Sequence, residues 1–311
     1  MSFKVAIDLS GLHPIVVLEE IETGTKAEIY AFGGLLNAFT ILKDHQPFNC
    51  IHGFESVADA SQNITNGFKS AKISPFVCRL QHGQYQFNGQ PYTIQKHYLG
   101  PHALHGLLFD AVFTIKDTFS NDEMAAVDLQ FQYQQSDPGY PFAFSIMIRW
   151  ELRRRNHLTV TTTVTHHNDQ PIPYADGWHP YFTLGGSINA YTLQFDSDRQ
   201  LEFDATLIPT GKKIVDTRFT EAHPLNTTHL DNAFELKPNG QCVLSHGSLQ
   251  LTIQPDESYP ILQVYTPEHR QSIAIENLSG APDNFNNDMG LLLLMPNRNY
   301  QFATSYQLQV L

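Results

Sequence analysis

The sequence predicts an all-β protein, a large antiparallel β-sandwich, and three observations lead there. Apolar residues alternate with polar ones at period two along much of the chain, turn signals separate these runs, and helical periodicity is almost absent. In VDLQFQYQ (127–134), Val127, Leu129, Phe131 and Tyr133 share one face while Asp128 and three glutamines take the other. FAFSIMIRW (142–150) aligns Phe142, Phe144, Ile146, Ile148 and Trp150, and LTVTTTVT (158–165) sets Leu158, Val160, Thr162 and Val164 against four threonines. LQLTIQ (249–254) and the terminal SYQLQVL (305–311) repeat the pattern. Such alternation marks half-buried strands of antiparallel sheets.

Asn88-Gly89, Asp137-Pro138-Gly139 and Asn239-Gly240 supply turns between strands. The segment ESVADASQNIT (55–65) is the one place that suits a short helix, or else a loop, and LLLLM (291–295) reads as a strand buried on both faces. No composition break marks a linker and no strict repeat appears. Residues 1–311 are therefore expected to form a single domain.

Composition narrows the function. Hydrophobic residues make up 41% of the 311 and charged residues 16%, enough for a sizeable core. A net charge of -12 argues against nucleic acid or an anionic membrane as partner, because phosphate binding needs concentrated Lys and Arg. The local exception, Arg153-Arg154-Arg155, reads as a solvated strand edge or as an anion contact. Cys50, Cys78 and Cys242 are few and far apart, with no disulfide framework or metal-ligand spacing. MSFKVAIDLS lacks the apolar stretch of a signal peptide, and no apolar run approaches the ~20 residues of a membrane helix. A cytoplasmic protein is expected.

The candidate chemistry lies in glycine- and proline-punctuated segments, which are read as loops on the sheet scaffold. GPHALHGLL (100–108) carries His102 and His105, YADGWHPYFTLGG (174–186) carries His179, and IAIENLSGAPDNFNN (273–287) carries Glu276. Taken singly, each residue is as well explained by a structural role. Together, an imidazole that gives a proton and a carboxylate that takes one, in an aromatic-lined cleft, suit proton transfer on a polyhydroxylated ring. His102, His166 and His167 fit no such pattern and are expected to be structural.

Seven segments, in order along the chain, resemble the aldose 1-epimerase (galactose mutarotase-like) family. They are AEIYAFGGLLNAFTI (27–41), CRLQHGQYQFNGQPYTI (78–94), ALHGL, GWHPYFTL, LDNAFEL (230–236), ILQVYT (261–266) and IAIENLSGAPDNFN. The resemblance implies the family's antiparallel β-sandwich and interconversion of the α and β anomers of a free aldose through the open-chain aldehyde. It implies Glu276 as the base at the C1 hydroxyl and His179 as the acid at the ring oxygen. His105 and Arg79 would hydrogen-bond near the reacting centre, Asp231 and Gln263 would hold other hydroxyls, and Trp178 would help to shape the pocket. No metal or cofactor is implied, and the expected partner is a small sugar. Hexose 6-phosphates are the alternative substrate, expected to need further Arg or Lys in the cleft. A non-catalytic sugar-binding protein, or a glycoside hydrolase using Glu276 and Asp283, are the other readings.

Overall fold

A computed structural model describes all residues, Met1–Leu311. The alternating runs form the expected strands, paired antiparallel in a nine-stranded sheet. Its first half runs in chain order through Thr114–Ser120, Met124–Tyr133, Phe144–Arg153 and His157–Thr165. The last strand of the chain, Tyr300–Val310, is then inserted between His157–Thr165 and Leu249–Pro255. Cys242–His246, Thr192–Phe195 and His223–Pro224 complete the order. The residues predicted to share inner faces do so. Leu158, Val160, Thr162 and Val164 are fully buried, as are Val127, Leu129, Ile146 and Ile148.

Two smaller sheets cover this face. The N-terminal sheet runs Phe3–Asp8, Ile15–Glu20, Thr25–Tyr30, Leu36–Lys43, Gln46–Asn49, and meets it where Trp150 Nε1 donates to Gly34 O at 2.9 Å. The six-stranded sheet runs Tyr181–Phe182, Ile273–Leu278, Ile261–Tyr265, Asp231–Glu235, Arg199–Phe203, Pro209–Val215. It packs through aromatic pairs such as Phe182 on Tyr306 and Phe195 on Phe234, and through Thr304 Oγ1 donating to Asn277 Oδ1 at 2.9 Å. One continuous core of 61 buried residues joins the three sheets. Burying large aliphatic and aromatic side chains on this scale, at about 1.5–3 kcal/mol each, is what holds the sandwich together.

The turn signals act as their chemistry demands. Asn88 and Gly89 both take positive φ, 50° and 74°, in the two-residue hairpin between Gln84–Phe87 and Gln90–Thr93. Asp137 folds its carboxylate back to accept from Gly139 N at 2.8 Å. The ambiguous segment at 55–65 is a helix, Val57–Asn63, started by Ser56 Oγ accepting from Asp59 N.

One expectation needs revision, and one open reading is resolved in favour of the solvated strand edge. LLLLM yields only a three-residue strand, Leu292–Leu294, that pairs with Ile172–Tyr174 alone. Leu294 is buried, whereas Leu293 and Met295 are about half exposed, so the run is not buried on both faces. The arginine run is a solvated strand end. Arg153 pairs with Glu151 at 2.6 Å and Arg154 with Glu22 at 3.5 Å, which answers their charge locally.

Candidate active site

The six-stranded sheet has two faces with different tasks, set by period two. Along Ile273–Leu278, Ile273 and Ile275 point into the core, so Ala274, Glu276 and Leu278 point away from it. Along Ile261–Tyr265, Leu262 and Val264 face the core and Gln263 and Tyr265 the other side. Glu276 pairs with Gln263 across the strands, and Asp231 pairs with Tyr265 on the next. Three polar side chains thus stand together on one face, with Gln263 Nε2 donating to Asp231 Oδ1 at 2.7 Å.

His179 joins them from the other side of Glu276. The stretch from Gly177 to Phe182 runs antiparallel along Ile273–Leu278, with Gly177 opposite Leu278 and Tyr181 opposite Ala274. His179 therefore falls opposite Glu276, and its Nε2 lies 3.3 Å from Glu276 Oε1. Gly177 is needed for this approach. A Cβ there would sit 2.7 Å from Leu278 Cδ2 and 2.9 Å from Ile73 Cγ1.

The remaining wall comes from the paired strands Arg79–Leu80 and His102–Leu104, where Leu104 is opposite Arg79. His105 follows in the left-handed region, φ 59°, anchored by His105 N donating to Cys78 O at 2.9 Å. Its ring packs at a tilt against Phe68 and meets the His179 ring edge-on at 4.8 Å. Gly106 permits the turn, because a Cβ would lie 2.2 Å from Ser74 O.

Arg79, His105, His179, Asp231, Gln263 and Glu276 all line one cleft of about 290 Å³. That is near the lower end of the roughly 300–1,000 Å³ of small-molecule sites, a size for a monosaccharide-scale ligand. Seven buried side-chain polar atoms in the protein lack a hydrogen-bond partner, and three of them belong to this wall: His105 Nδ1, His179 Nδ1 and Gln263 Oε1. Buried polar atoms are normally satisfied, so these three are available to hydrogen-bond a polar ligand in the cleft.

Burial dominates the electrostatics. It pushes the Glu276 carboxyl well above the ordinary carboxylate range; the Asp231 charge adds to the rise, while the Cys78 thiol and Arg79 oppose it. It pulls His179 down to about 4 and His105 well below the usual imidazole value, the latter helped by His179 and Arg79. Asp231 is raised by burial, against Arg79 and the Gln263 hydrogen bond. Burial therefore disfavours the charged form of both members of the Glu276–His179 pair.

Not every expectation holds. Trp178 is absent from the cleft wall. Alternation turns it away from His179 and into the core, where it meets Trp150 edge-on at 5.4 Å and lies under Lys72 Nζ at 4.4 Å. Phe182 likewise packs inward on Tyr306, whereas Tyr181 stacks on His179 at 5.1 Å and lines the cleft. Asp283 also lies off the wall. It accepts from Gln81 N at 2.8 Å and Asn286 Nδ2 at 2.7 Å, bonds that tie it to Gln81 and its own loop and not to the cleft that Glu276 lines. The other histidines are hydrogen-bonded elsewhere: His102 Nδ1 to His82 N, His166 Nε2 to Leu294 O, His167 Nδ1 to Asn297 Oδ1.

The sequence reading missed Thr65, Phe68, His97, Leu99 and Tyr265 on the wall. Tyr265 had a signal, since it stands two residues after Gln263 and so on the same strand face. Thr65 and Phe68 lie in an irregular stretch after the helix, with Phe68 at φ 54°, where no periodicity operates.

The fold and this cleft together define a galactose mutarotase-like protein. Solved structures with the same fold include a galactose 1-epimerase from Lactobacillus acidophilus NCFM, at TM-score 0.84, 20% identity and 99% of each chain covered. A galactose mutarotase-like protein from Clostridium acetobutylicum reaches TM-score 0.85 at 14% identity, covering 99% of this chain and 98% of that one. In sequence, the chain is 27% identical over 230 residues to the uncharacterized protein YihR of Escherichia coli (strain K12), spanning 71% of this chain and 73% of that one. It is 26% identical over 172 residues to an aldose 1-epimerase from Streptococcus thermophilus, a match covering 53% of this chain and 48% of that protein. The aldose 1-epimerase family model matches residues 16–307, and the chain belongs to that family of sugar epimerases.

Proposed function

We propose that this protein is an aldose 1-epimerase that interconverts the α and β anomers of a free, unphosphorylated aldose. The observation that carries the reading is the 3.3 Å contact between His179 Nε2 and Glu276 Oε1 in a cleft walled by hydroxyl-binding groups. Ring opening moves one proton from the C1 hydroxyl to the ring oxygen with no net change. A pair holding a single proton suffices. Glu276 as carboxylate takes the O1 proton while His179 as imidazolium protonates the ring oxygen and the C1–O5 bond breaks. What remains is a carboxylic acid beside a neutral imidazole, the uncharged forms towards which burial shifts both groups. The aldehyde rotates, and the same two groups run the step backwards on its other face.

Arg79 and His105 stand where they can donate to the oxygens on which charge develops, and Asp231 and Gln263 take the remaining hydroxyls. Tyr181 and Phe68 offer apolar faces to the ring. Arg79 is the only Lys or Arg on the cleft wall, which favours a neutral aldose over a hexose 6-phosphate. The test is proton NMR of the anomeric signals, or polarimetry, on fresh α-glucose, α-galactose and glucose 6-phosphate. Faster equilibration of a neutral sugar supports the reading. Acceleration of the phosphosugar alone, or binding without acceleration, overturns it.

A further inference from the structure

We propose that Cys78, His105 and Glu276 also form a binding site for a thiophilic divalent cation such as Zn²⁺, whose occupancy blocks the cleft. One ligand atom from each lies within 4.8 Å of the others, and all three side chains are buried on the cleft wall. The Cys78 Sγ to Glu276 Oε2 separation is 3.8 Å. Tetrahedral zinc with Zn–S near 2.3 Å and Zn–O near 2.0–2.2 Å needs about 3.6 Å between those atoms. The sulfur and oxygen need to close by a few tenths of an ångström and the histidine nitrogen by roughly 1 Å to complete the geometry.

Three further observations converge. His105 Nδ1 is buried without a hydrogen-bond partner, so its ring is not committed elsewhere. Glu276 presents Oε2 to Cys78 while Oε1 contacts His179, the orienting contact that metal-binding carboxylates usually have. The charges also balance once binding has released the thiol and carboxyl protons: a thiolate, a carboxylate and a neutral imidazole neutralise a doubly charged cation in a buried place. A sulfur, a nitrogen and a single carboxylate select zinc-like ions over Mg²⁺ or Ca²⁺, which want six or more oxygens. Three protein ligands leave a fourth position facing the cleft.

A bound cation holds the carboxylate that the proposed reaction needs and sits where the sugar must lie. This consequence for turnover rests on the epimerase reading; the site itself does not. The test titrates the full-length, metal-free protein with Co²⁺, whose thiolate complexes show a near-ultraviolet charge-transfer band. One equivalent should bring up the band in the wild type, and Cys78→Ser should abolish it. Glu276→Gln, close to isosteric, should keep the band but weaken binding at least about tenfold. Zinc should displace cobalt and raise the apparent KM for the sugar without changing kcat. No band in the wild type, a band that survives Cys78→Ser, or unweakened binding in Glu276→Gln overturns the site. If Cys78→Ser does not fold, the wild-type band and the Glu276→Gln affinity still decide it. Zinc that binds without slowing turnover overturns the blocking. If no aldose is turned over at all, the cobalt data stand alone and only the epimerase reading has failed.

Discussion

Replacing Glu276 with glutamine should make the protein more stable and nearly inactive, and the two effects have one cause. The Glu276 side chain is 2% exposed, and its carboxyl is held well above the ordinary range chiefly by burial. In the unfolded chain the same group ionises near pH 4.3. Each unit by which the folded value exceeds the unfolded one costs about 1.4 kcal/mol of stability once the pH is above the folded value. The sign follows from proton counts. Above pH 4.3 the unfolded state has released this proton while the folded state keeps it, so rising pH favours unfolding. Glutamine keeps the shape and can still reach His179, without the penalty. At pH 7 the variant should gain about 1–2 kcal/mol, or roughly 1.5–3 °C in Tm for a chain of this size. The gain should shrink towards zero as the pH falls to about 4, where both states hold the proton. Anomer exchange should fall by about 10² to 10⁴, the usual worth of one positioned proton-transfer group. Differential scanning calorimetry at pH 4, 5, 6 and 7, with polarimetry beside it, reads both. A Tm unchanged or lowered at pH 7 would refute the burial argument, and a loss of activity below about tenfold would refute the assignment of the base.

Other expectations can be checked with the same assays. The proposed pair gains a second proton only near the His179 value of about 4 and loses its last at the raised Glu276 value. The pH profile of kcat/KM should therefore be flat through pH 5–6, with its acid limb near 4, and an acid limb at the ordinary imidazole value of about 6.5 would contradict this. Trp178→Phe should cost about 1–3 kcal/mol through lost packing on Trp150 and Lys72 and leave the sugar KM unchanged; a large KM change would place Trp178 in the cleft after all. Gly177→Ala should destabilise by about 1–3 kcal/mol and slow turnover, since the new methyl pushes the His179 strand off Leu278 and Ile73; a neutral result in both thermal melts and kinetics would show that the approach is not tight.

The large sheet was easy to read because its long central strands bury one face only. Leu158, Val160, Thr162 and Val164 alternate with half-exposed threonines, and period two shows through. The six-stranded sheet was harder. Ile273–Leu278 is buried on both faces along its whole length, so no alternation separates its core side from its cleft side. Resemblance, rather than periodicity, singled out Glu276, and only the strand pairing shows what stands beside it. Trp178 went astray for a related reason. Adjacent residues in a strand point to opposite faces, so the neighbour of a cleft histidine belongs to the core by geometry, however suited to a sugar its ring is. Cys78 was read only as a distant, unpaired cysteine, because its closeness to Glu276 depends on a fold-back spanning nearly two hundred residues.

The expectation that loops carry the chemistry also changes form. Glu276, Gln263 and Asp231 project from three adjacent strands, and His179 from a fourth segment paired alongside. A group that must pass one proton between two oxygens of a sugar has little tolerance, since a misplacement of 1 Å can cost about 10² in rate. Strands locked by ladder hydrogen bonds on one side and by core packing on the other hold that tolerance better than a loop can. The cost is that an ionisable carboxyl and imidazole must be kept out of water. The sheet meets it by setting them 3.3 Å apart, so that each can answer a charge on the other. The same contact that lets the fold tolerate these groups is the one across which the reaction's proton inventory is kept.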